Sequence, residues 1–127
     1  MEHTATGIFE VAIVPQTDRE ITMLGRMTID KQFHGALEAT SQGQMLSAGT
    51  AVTGSAGYVA IERVAGVLDG KKGSFVLQHT ATMNRGVPSL SITVVPDSGT
   101  DELEGINGTL NIRREEGKHF YDLVYTL

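Results

Sequence analysis

Four polar side chains able to do acid, base or hydrogen-bonding chemistry, Glu62, Arg63, Gln78 and His79, stand in the middle of two apolar, β-branched runs over residues 58–68 and 74–83. Charges placed mid-strand need water, a partner or a ligand. Successive side chains on a strand point to opposite faces, so Glu62 and Arg63 diverge, as do Gln78 and His79. One charged group of the first run therefore faces inward. Glu62 is the candidate general acid or base: inside a barrel, desolvation disfavours its ionised form and suits it to move a proton or orient a polar ligand group. Histidine is the side chain whose ordinary titration lies near neutrality, which makes His79 the second catalytic candidate, as a proton shuttle.

These two runs must be positioned by the turn between them. Asp69-Gly70-Lys71-Lys72-Gly73 supplies a hairpin turn with its glycines. A loop spanning residues 69–72 pairs Leu68 with Gly73 and sets Glu62 opposite His79. A loop one residue longer brings Arg63 opposite His79 and Glu62 beside Thr80, because a one-residue slip changes every partner. Both registers are open at this stage.

The rest of the chain reads as further strands. Residues 4–14 alternate, with Phe9, Val11 and Ile13 on one face. Residues 15–20 break the pattern, and residues 21–33 resume it with Met23, Met27, Ile29 and Phe33 against Arg26, Thr28, Asp30 and Gln32. Residues 36–48 form a strand of small residues, with Leu37, Ala39, Ser41, Gly43 and Met45 sharing a face. Residues 89–95, 108–114 and 119–127 supply three more strands, and Leu103 and Ile106 fold inward from the irregular stretch 97–107. No window has a period of 3.6 residues. The expected fold is all-β, a single domain over residues 1–127 built as an eight-stranded antiparallel meander barrel, since closure removes the edges of such a meander and about eight strands leave room for side chains or one small ligand.

Composition excludes several functions. The net charge of −5 is the wrong sign for a phosphate-backbone partner, and the four Phe and three Tyr do not alternate with Lys or Arg as a base-stacking platform would. With no cysteine there is no disulfide framework, thiolate metal site or thiol nucleophile, and the expected address is cytoplasmic. The chain shows no signal-peptide pattern and no membrane-spanning apolar run. His3, His34, His79 and His119 are scattered without metal-ligand spacing, so neither metal nor cofactor is expected. No Gly-x-Ser-x-Gly elbow supports a hydrolase.

Ligand-binding candidates are Tyr58, Tyr121 and Tyr125, each an apolar ring with a polar tip, together with Gln78 and with Arg26, which shares a face with Asp30. One feature points outward. Val59, Ile61 and Val67 oppose Val64 and Leu68 on one strand, and a barrel has only one interior. The second apolar face predicts a homo-oligomer, most simply a dimer.

The strings GRMTIDKQFHG (25–35), GSAGYVAIERVAGVLDGKKGSFVLQH (54–79), SLSITVVPDSGTDELEGINGTLNI (89–112) and KHFYDLVYTL (118–127) resemble the bacterial domain of unknown function 3224 family nearly end to end. That family resembles plant allene oxide cyclase in fold, a small eight-stranded barrel. The loop from Gly99-Thr100 to Gly108 is similar to a Gly-Thr-Gly segment of cyclase and dirigent barrels, with Asp101 in place of the last Gly. The resemblance implies a lumen that takes an apolar small molecule and a cofactor-free isomerase or cyclase chemistry as the activity to look for. The competing expectation is a non-catalytic oligomeric interaction protein whose barrel is filled by its own side chains.

Overall fold

The computed structural model describes residues 2–16 and 23–127. Within these the chain forms nine strands: β1 (Glu2–Gln16), β2 (Leu24–Gly35), β3 (Leu37–Gly49), β4 (Ala56–Leu68), β5 (Lys71–Asn84), β6 (Val87–Val94), β7 (Thr100–Asp101), β8 (Asn107–Glu115) and β9 (Lys118–Thr126). Every pairing is antiparallel. The order β4-β3-β2-β1-β9-β8-β6-β5, with β5 returning to β4, closes eight strands into a barrel, and β7 adds a short ninth strand to the end of β5. No helix is present among the described residues, and none is long and apolar enough to cross a membrane.

Three hairpins close with two-residue turns in which both residues have positive φ: Asp69-Gly70 (48° and 84°), Arg85-Gly86 (49° and 91°) and Glu116-Gly117 (52° and 77°). Such turns match the right-handed twist of the flanking strands. The first corrects both expected registers. Leu68 pairs with Lys71, so Lys71, Lys72 and Gly73 belong to β5, Glu62 lies opposite Leu77, and His79 lies opposite Ala60. Pro15 likewise does not end its strand but pairs with Met27. The expected break over residues 17–20 and the start of the next strand at Ile21 and Thr22 fall outside the described residues.

The two ends of the barrel differ. The end carrying the β2–β3 and β4–β5 turns is packed solid by Phe33, Leu37, Leu68, Phe75, Leu77, Tyr121 and Leu123. Leu103 and Ile106 fold in from the β7–β8 connection as plugs, as expected. The opposite end carries the turns after β3, β5 and β8, and there the inward side chains Met45, Tyr58 and Ile112 are only half-buried. The wall is thinnest on this side. β8 pairs with β9 over nine positions but with β6 at the single position Thr93↔Thr109. On the outside, Val59, Ile61 and Val67 are exposed as their alternation required, and Leu24 and Leu46 join them.

Candidate functional site

The alternation that sends Val64 and Leu68 inward also sends Glu62 inward and Arg63 out. On β5 the same rule turns His79 inward and Gln78 to solvent. Glu62 is fully buried, and its carboxylate collects three partners from three other strands. Lys31 Nζ on β2 lies 3.0 Å from Oε1, His79 Nε2 lies 2.9 Å from the same oxygen, and Ser41 Oγ on β3 donates to Oε2 at 2.7 Å. Gly43 makes this convergence possible. It sits directly opposite Glu62, and a Cβ there would lie 2.3 Å from the Ile61 carbonyl and 2.7 Å from Glu62 Cβ. With no side chain at that position, Glu62 can lean across β3 toward Ser41 and Lys31.

Lys31, and Ser41 as more than a small residue of its strand face, are site residues that alternation and residue type did not single out. Lys31 belongs to the Ile29, Lys31, Phe33 alternation and is buried with them. Its ammonium rests over the Phe9 ring at 5.0 Å and the Phe33 ring at 5.8 Å, so the cation meets two aromatic faces as well as the carboxylate.

Burial alone would push the Glu62 carboxyl up, as expected from its position. The hydrogen bond from His79, the charge of Lys31, the interaction with the imidazole and the Ser41 hydroxyl outweigh it, and the carboxyl is held at about 2 against an ordinary 4.5. Glu62 is therefore an ionised anchor at neutral pH, and the expectation of a carboxyl kept protonated by desolvation is corrected. The ionised carboxylate in turn fixes the imidazole: the nitrogen facing it must carry a hydrogen, so Nε2 donates and a neutral ring keeps its lone pair on Nδ1. Nδ1 has no protein partner among the described residues. Every fully enclosed side-chain nitrogen and oxygen there does have one, so Nδ1 keeps slight exposure on a side chain that faces inward.

Above this charged layer the lumen opens into a pocket of about 630 Å³. Its walls are the ends of β3 to β6 around the open mouth, with the inward Met45, Tyr58, Ala81 and Leu90 among them, and Arg114 of β8 also lines it. Glu62 and His79 are not part of the wall. His79 is one inward position below Ala81 on β5, and Glu62 is two below Tyr58 on β4, so the network forms a floor beneath the pocket. The pocket lies on the side where β6 and β8 lose their ladder. The Tyr58 hydroxyl feels the floor from the wall, its pKa raised by burial and by the Glu62 charge.

Of the other candidates, Tyr121 and Tyr125 are inward but belong to the packed end. Tyr121 Oη receives the Leu37 N–H at 2.9 Å and lies 3.0 Å from the His34 carbonyl, which it can reach as donor. Tyr125 donates to Asp69 in the β4–β5 turn, and burial with that hydrogen bond raises its phenol to about 12. Both hold the bottom shut. Gln78 and Arg26 are corrected outright: Gln78 is solvent-exposed on the outer face, and Arg26, also on the outer face, donates to Gln44 at 3.1 Å, because each lies one residue out of phase with the lumen-facing set.

Fold and site together define a small closed barrel, packed at one end and open at the other, with a buried Lys-Glu-His cluster between the halves. The chain belongs to the family described as protein of unknown function (DUF3224), which matches residues 5–125. It is similar to a solved member of that family, a protein with unknown function from Shewanella oneidensis MR-1, at 50% identity and a TM-score of 0.94, over 100% of this chain and 98% of that one. No curated protein matches.

Proposed function

We propose that this barrel is a small-molecule-binding protein whose open half receives an apolar ligand. The observation that carries this is the pocket above the Glu62 floor, whose volume of about 630 Å³ lies within the range of small-molecule sites and whose wall is mostly apolar. The charged floor supports it. A buried ion pair is often no better for stability than apolar side chains of the same volume, so Lys31, Glu62 and His79 are an expensive way to fill a barrel. The side-chain-filled alternative fits the packed half but not the open one. A homo-oligomer joined through the exposed Leu24, Leu46, Val59 and Ile61 stripe is compatible with ligand binding, and light scattering on the purified protein reads it directly: a monomeric mass removes it.

The test is a fluorescence titration with the neutral dye N-phenyl-1-naphthylamine, comparing the native chain with Ala81→Trp, which fills the pocket from its wall. The expected result is saturable binding to the native protein and at least tenfold weaker binding to the variant, with unchanged circular dichroism. Equal binding by both chains, or no saturable binding, contradicts the proposal.

A cofactor-free isomerase or cyclase, the chemistry expected from the family's likeness in fold to a cyclase barrel, is a second reading favoured by one observation, an inward-facing His79 whose Nδ1 has no protein partner among the described residues. In it His79 is the base and Glu62 the positioning residue. Nitrogen-15 NMR of the imidazole tests this: the Nε2–H tautomer, with Nδ1 shifting on addition of the dye, agrees with it, and an Nδ1–H tautomer sinks it.

A further inference from the structure

Arg114 is an oddity of the pocket rim. The alternation of β8 points Leu110, Ile112 and Arg114 toward the lumen, and only the last is charged. Among the described residues lining the pocket, Arg114 carries the sole charge, and no aspartate or glutamate stands with it. Its neighbour Arg113 faces outward and is fully engaged, with Nε 2.9 Å from Asp122 Oδ2 and Nη1 3.3 Å from Glu115 Oε1. Arg114 makes no hydrogen bond or ion pair with any described residue. An unpaired guanidinium beside apolar walls, in a chain whose net charge is −5, is a local reversal of the molecule's field.

Resting on the pocket reading above, we infer that the ligand is an amphipathic organic anion: an apolar body held by Met45, Tyr58, Ala81 and Leu90, carrying one acidic group that Arg114 grips at the rim. The chemistry follows from the two surfaces. The wall rewards burial of hydrocarbon or aromatic surface and offers few polar atoms. The guanidinium fork matches the two oxygens of a carboxylate or the three of a sulfonate, and the low-dielectric wall beside it strengthens that contact. Deeper in the pocket an acidic group would meet mostly apolar wall and no second cation among the described lining residues, since the Lys31 ammonium of the floor is already taken by Glu62. The order of groups in the bound molecule is thereby set, acid outward at the β8 rim and apolar end inward over His79.

The experiment uses two dyes that share an anilinonaphthalene skeleton and differ by a charge, neutral N-phenyl-1-naphthylamine and 8-anilinonaphthalene-1-sulfonate, each titrated into the native chain, Arg114→Met and Arg113→Met. The expected result is that the native chain favours the sulfonate by about fivefold or more, that Arg114→Met abolishes that preference while leaving the neutral dye's affinity within twofold, and that Arg113→Met changes neither. The native preference should also shrink as sodium chloride is raised to 1 M. An unchanged ratio in Arg114→Met, or an equal loss in Arg113→Met, overturns the inference while the pocket reading stands on the neutral dye. If neither dye binds the native chain, both fall together.

Discussion

Replacing Glu62 by Leu is expected to destabilise the barrel by about 3–5 kcal/mol, among the largest effects any single substitution in this chain should have. The cost does not come from lost packing, since leucine is close in volume. It comes from Lys31, whose ammonium is left buried between the Phe9 and Phe33 rings with no carboxylate. His79 Nε2–H and Ser41 Oγ lose their acceptor at the same time, each adding a share of the cost of an unsatisfied buried polar group. The double variant Glu62→Leu, Lys31→Met removes the stranded cation and should recover more than half of the loss. Urea unfolding of the native chain and the two variants measures it. A single variant within about 1 kcal/mol of native would mean that Lys31 escapes to solvent and that the floor is not a closed ion pair.

Acid is the second large effect. The folded carboxyl of Glu62 is held at about 2 against 4.5 for the unfolded chain, so as pH falls the unfolded state binds a proton first. The contribution of the ionised anchor is fully present above about pH 4.5 and is lost as pH falls from there through about 2, a change on the order of 3 kcal/mol. Other carboxylates titrate in the same window, so the informative quantity is the difference between the native chain and Glu62→Gln, which has nothing to titrate at this position. The native advantage should close by most of its value as pH falls from about 4.5 to about 2. A difference that stays flat down to pH 2 would mean that the Glu62 carboxyl has an ordinary pKa in both states, or one shifted equally.

Much of this arrangement was legible in the sequence, and what was not has identifiable causes. Alternation placed one of Glu62 and Arg63 inside and sent Val59, Ile61 and Val67 outside, because a period of two is a property of the strand itself, and Leu103 and Ile106 stood out as plugs by being apolar in an otherwise polar, irregular stretch. Register was out of reach. Gly73 looks like part of the turn, yet it is a strand residue whose missing side chain admits β7: a Cβ there would lie 2.3 Å from the Thr100 carbonyl. A glycine needed for close approach and a glycine needed for a turn are the same letter. Lys31 escaped notice for a different reason. The Ile29, Lys31, Phe33 spacing puts it inward, but lysine is so rarely buried that its type argues against its position, and only the partner carboxylate from β4 reconciles the two. Arg26 and Gln78 erred the other way, as polar groups in strands assigned to a lumen that their phase denies them. Arg114 shows its phase by following Leu110 and Ile112, while its lack of a partner among the described residues is a fact of three dimensions.

The claim on which the rest depends is that the open half of the barrel takes an apolar molecule between Tyr58 and Leu90, above the Glu62 floor. The direct measurement is a crystal structure of the protein soaked with 1-iodonaphthalene, in which iodine is located by its anomalous scattering. The account predicts an iodine peak inside the pocket, within van der Waals reach of Tyr58, Ala81 or Leu90, and none in Ala81→Trp. Iodine found only on the outer Leu24, Leu46 and Val59 stripe, with the pocket empty, would contradict it.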